Sequence, residues 1–110
     1  MPEKVIFPNW KELVVYSAKG MQPKVLVETE NYKSVVAGMA PGNSMPPHAE
    51  GPAIFHFLEG TGKMIVGEEN LSVQAGATVV VPNGANRGIE AETQLAFLAV
   101  RLPQKAVIYK

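Results

Sequence analysis

The chain has 110 residues, with ten lysines and arginines against ten acids, two histidines and no cysteine, and all ten acids are glutamates. That length supports one hydrophobic core, while the missing residue types rule out a thiolate nucleophile, a cysteine-ligated metal, a disulfide framework, an Asp-rich calcium loop and an Asp–His relay. A formal net charge of zero and a pI of about 6.7 leave no basic field for nucleic acid.

Trp10–Ser17 suits a helical turn or a strand equally well. After it come short runs rich in β-branched residues, which predict strands at about 25–29, 32–40, 53–58, 63–66, 70–74, 78–81, 88–91, 94–101 and 106–109. Explicit turn signals separate them: Pro41-Gly42, Gly51-Pro52, Gly60-Thr61-Gly62, Gly67, Ala75-Gly76 and Asn83-Gly84. Many short strands at close spacing predict an all-β sandwich or barrel. No apolar run approaches the roughly 18 residues of a transmembrane helix. The start, MPEKVIFPNW, lacks the basic-then-apolar order of a secretory signal. A cytoplasmic protein without membrane contact is the expectation.

Two motifs carry an identity. The first reads Pro41-Gly42-Asn43-Ser44-Met45-Pro46-Pro47-His48-Ala49-Glu50 and closes with Phe57-Leu58-Glu59-Gly60. The second runs from Gly76 through Pro82-Asn83-Gly84 to Arg87. Together they resemble the two motifs of the cupin superfamily, whose members are double-stranded β-helix (jelly-roll) β-barrels. The resemblance implies one domain over 1–110, with N-terminal strands over 1–40, a two-motif core over 41–103 and a terminal strand over 104–110. It also implies a homodimer, with Trp10 and the apolar end of the chain covering a sheet edge or exchanging with a second subunit.

Metal-binding cupins typically hold their ion with three histidines and a glutamate. In this chain the corresponding positions read His48, Glu50, Ala53 and Arg87. An arginine has no lone pair to give a metal and carries a positive charge beside any cation. No cofactor is therefore expected; a divalent transition metal would have only His48, Glu50 and His56 to hold it. Alternation along the strand places Ala53, Phe55 and Phe57 on one face and Ile54, His56 and Leu58 on the other, which turns His56 away from the site.

The leading expectation is a sensor or carrier that binds a small organic, anionic molecule in the barrel. The pocket candidates are His48, Glu50, Arg87, Met45, Phe55, Phe57 and Phe97. Arg87 has three roles open to it: a bridge to Glu50, a bidentate grip on a ligand carboxylate or phosphate, or an arginine at the rim extended into solvent. An enzyme is the second reading, either metal-dependent and dioxygenase- or isomerase-like, or a metal-free epimerase-like catalyst with His48 as base. The third is a structural dimer module with no ligand.

Overall fold

The computed structural model describes residues 4–104. After a 3-10 turn at Trp10–Glu12, capped by the Asn9 side chain, the chain is built of strands. These are β1 (Lys24–Glu28), β2 (Lys33–Met39), β3 (Ser44–Ala49), β4 (Ala53–Glu59), β5 (Thr61–Val66), β6 (Glu69–Gln74), β7 (Thr78–Val81), β8 (Asn86–Ala91) and β9 (Leu95–Arg101). They form two antiparallel sheets, one ordered β1-β2-β9-β4-β7 and the other β3-β8-β5-β6. Consecutive strands such as β3 and β4 lie in different sheets, so the chain crosses repeatedly between layers and winds a double-stranded β-helix. No helix among the described residues is long and apolar enough to cross a membrane.

The structure refines the sequence reading at three places. Ser44–Ala49 is a strand, although Pro46-Pro47 reads against one because proline cannot donate to a ladder. It is tolerated because β3 is an edge strand and the prolines sit where its register with β8 shifts. The Gly60-Thr61-Gly62 segment is a turn only at Gly60, since Thr61 already opens β5. Gly60 has φ +87°, and a Cβ there would lie 1.7 Å from the carbonyl oxygen of Gln94, so only glycine fits between β4 and β5. Trp10–Ser17 is a single 3-10 turn followed by extended chain without strand pairing. The terminal strand expected at 106–109 lies outside the described residues.

The core forms because inward-facing residues from both sheets meet in the middle. Cross-strand partners share a face, so the larger sheet presents its inner side chains in rows. Ala37 and Phe57 flank Phe97, and Val35 and Phe55 flank Ala99. Phe97 stacks obliquely on both Phe55 and Phe57, with ring centroids 5.6 and 5.9 Å apart, the offset geometry that aromatic rings prefer. Met64, Val73, Ile89 and Ala91 of the smaller sheet complete the core.

The N-terminal segment lies on the outer face of the larger sheet. Gly38 makes this possible: a Cβ there would meet the Val15 carbonyl oxygen at 2.9 Å and the Tyr16 ring at 3.1 Å. Tyr16 then donates its hydroxyl to the Glu59 carboxylate, and Asn43 Nδ2 donates to the Ser17 carbonyl at 2.7 Å.

Candidate ligand-binding site

The site begins with the bulge in β3. Met45 pairs with Ile89 and His48 with Arg87, so three steps on β3 face two on β8. One extra residue reverses the alternation, and Met45 and His48 consequently point to the same inner face. Gly88 admits the bulge. A Cβ there would come within 2.9 Å of the Met45 carbonyl oxygen and 3.0 Å of the Pro47 ring.

Between the sheets, at the end where the bulge lies, the barrel is open to a cavity of about 400 Å³. Met45, His48, Glu50 and Arg87 line one side. Lys33, Val35, Ala53, Phe55, Phe97, Ala99 and Arg101 line the other, with Met21 and Pro23 before β1 and Val25 in it. The inner rows of the larger sheet grade this wall. Lys33, Arg101 and Ala53 are neighbours at the outer end, Val35, Ala99 and Phe55 come next, and Phe97 lies deeper. On this wall cations therefore stand at the mouth and hydrocarbon at the floor.

Arg87 is only 2% exposed, the one charged residue in the buried set of the described chain. Its Nη2 donates to the Glu50 carbonyl at 2.9 Å and to the Ala85 carbonyl at 3.1 Å. Glu50 O also accepts from the Gly84 amide at 2.8 Å. The guanidinium thus ties the β3–β4 connection to the β7–β8 turn. Its Nε has no protein partner. Burial pushes the Arg87 guanidinium below its ordinary range, and the nearby Glu50 carboxylate opposes that shift.

His48 Nε2 lies 3.0 Å from Glu50 Oε2, and its Nδ1 is 3.3 Å from the Pro46 carbonyl oxygen. Both partners are acceptors, so the ring meets them by donating, and a neutral imidazole has one N–H to give. Nearly half of each side chain is exposed, 46% for His48 and 44% for Glu50. A pair that open contributes at most about 1 kcal/mol.

The structure brings six of the seven expected pocket residues to this cavity: His48, Glu50, Arg87, Met45, Phe55 and Phe97. Phe57 is the exception. It has the predicted inward parity and lies in the same row as Phe97, but it is fully buried in the core and does not reach the cavity. His56 lies on the outer face, with Nδ1 2.7 Å from the hydroxyl of its cross-strand partner Thr78. The set His48, Glu50 and His56 is therefore split by the sheet itself. Arg101 and Lys33 are cavity residues that sequence reasoning missed. Extending the alternation of β9 from Phe97 through Ala99 finds Arg101, but Lys33 becomes visible only once β2 is paired with β9.

The donor set does not fit a metal. Among the described residues no three His or Glu side chains converge. At the expected ligand positions, Ala53 offers nothing, Arg87 offers hydrogens, and His48 and Glu50 are already bonded to each other.

Two antiparallel sheets wound as a β-helix, with a site between them at the barrel mouth, define a small jelly-roll barrel. The chain belongs to the cupin-domain family, whose model matches residues 35–101. No curated protein matches it in sequence. Among solved structures, it is similar to a conserved protein of unknown function from Streptococcus pyogenes. That match has 22% identity and a TM-score of 0.82, covering 96% of this chain and 92% of the other. A conserved double-stranded β-helix protein from Klebsiella pneumoniae is 23% identical with a TM-score of 0.82, covering 96% and 95%. A cupin superfamily protein from Desulfitobacterium hafniense is 14% identical with a TM-score of 0.81, covering 94% of each. At these identities the likeness is one of fold.

Proposed function

We propose that the protein binds a small organic anion in the barrel cavity, as a sensor or carrier, without a resident metal. One observation carries this reading. Lys33, Arg87 and Arg101 line the same cavity, and Glu50 is its single acid, in a chain whose formal net charge is zero. Positive charge concentrated in a low-dielectric cleft attracts and orients an anion. Arg87 is almost fully buried, so its charge acts in the cavity wall with little screening by water. Binding is favoured over catalysis because both ring nitrogens of His48 face acceptors of the protein itself.

The test is a thermal-shift and calorimetric screen of organic carboxylates and phosphates, on untagged protein whose metal content has been measured. A saturating anion present at about 100 times its Kd raises stability by about 2.7 kcal/mol. The reading predicts such a shift with at least one anion and no stoichiometric transition metal. It fails if no anion binds, or if a stoichiometric metal is found and is lost on His48→Ala.

A further inference from the structure

We infer that the cavity takes an apolar monocarboxylate bound head outward, with its carboxylate on Arg101 and Lys33 at the mouth and its hydrocarbon body against Phe55, Phe97 and Ala99. This rests on the anion-binding reading above and names the ligand class and its anchor. The anchor is Arg101, not Arg87. Arg87 spends Nη2 on two backbone carbonyls, whereas Arg101 has no carboxylate within ion-pair distance among the described residues. Lys33 stands directly opposite Arg101 on the neighbouring strand. Its contact with Glu28 is long, at 3.9 Å.

Like charges directly opposite across a strand pair repel. A carboxylate seated between Lys33 and Arg101 relieves that repulsion and meets the planar fork of the guanidinium. On the third strand of the same row stands Ala53, which leaves room for the head group. The body of the ligand follows from the floor. From Arg101 to Phe97 the wall runs about 13 Å at roughly 3.3 Å per residue, and below the mouth it is Val35, Ala99, Phe55 and Phe97. None of these side chains offers a hydrogen bond, and the polar groups of the cavity, His48, Glu50 and Arg87, stand on the opposite side, so hydroxyls packed against this wall would be left without partners. Hydrocarbon loses nothing by entering.

The experiment is an NMR titration of the 15N-labelled full chain with hexanoate, 1-hexanol and inorganic phosphate. It is run on the wild type, on Arg101→Gln at the exposed rim and on Ala99→Leu, which fills the cavity. Hexanoate is expected to give saturable shifts at the Phe55 and Ala99 amides, and phosphate none. Loss of one charged partner corresponds to a weakening of roughly 10-fold or more. The Arg101→Gln variant should therefore bind hexanoate about that much more weakly and 1-hexanol unchanged, while Ala99→Leu should weaken both. Saturable phosphate binding without hexanoate binding overturns the ligand class and leaves the anion reading standing. Hexanoate binding that Arg101→Gln does not weaken overturns the anchor. If no probe gives a saturable shift at the cavity amides, the inference fails, while the broader anion screen still judges the anion-binding reading separately.

Discussion

Replacing Arg87 with methionine should cost the fold about 2 kcal/mol, and the balance of terms is instructive. The variant loses two charge-assisted bonds, to the carbonyls of Glu50 and Ala85. Each contributes about 1.5–3 kcal/mol, or roughly 4 kcal/mol for the pair. Two effects offset part of that loss. The unpartnered Nε disappears, which returns about 1–3 kcal/mol, and the Glu50 carbonyl keeps its bond from the Gly84 amide. Methionine preserves much of the apolar stem packing. At roughly 4 °C per kcal/mol for a domain of this size, the melting temperature should fall by about 8 °C. Urea denaturation followed by far-UV circular dichroism, with an unchanged m-value, measures the same quantity. A variant as stable as the wild type, or more so, would refute the reasoning. It would mean that the desolvation of the guanidinium outweighs its bonds, and that Arg87 does not hold the two loops together.

Two further outcomes test the scaffold. Gly60→Ala places a Cβ 1.7 Å from the Gln94 carbonyl oxygen at φ +87° and should prevent folding. Gly67→Ala, at φ +59° with open space around it, should cost only the left-handed penalty of about 1–2 kcal/mol; equal urea midpoints for the two variants would count against the packing assigned to Gly60. Tyr16 is held above the ordinary phenol value of 10.0 by burial first, and then by the hydrogen bond and charge of Glu59. The unfolded chain therefore releases this proton before the folded one. The contribution to stability is complete below pH 10 and declines as pH rises beyond it. Tyr16→Phe should remove that decline, and parallel urea midpoints for the two proteins from pH 9 upward would show that Tyr16 plays no such part.

Alternation and turn chemistry determined much of this protein from sequence alone. The placing of Phe55 and Phe57 inward and His56 outward follows from the period of two in β4, which tertiary contacts do not alter. The erosion of the ligand set was equally legible, because the side chain of Arg87 or Ala53 carries its chemistry wherever it lies. What only the tertiary structure decided depends on pairing between distant strands. The bulge at Pro46-Pro47 exists only relative to β8, and it alone puts Met45 and His48 on one face despite their odd separation. Phe57 has the parity of a cavity residue and pairs with Phe97, yet the packing of the two sheets buries it completely while Phe97 lines the cavity. Lys33 and Arg101 are 68 positions apart in the chain, and their adjacency arises from the pairing of β2 with β9. Local sequence sets which way a strand's side chains point. Which charges meet across the mouth is set by long-range register, and from that register the cavity takes its polarity.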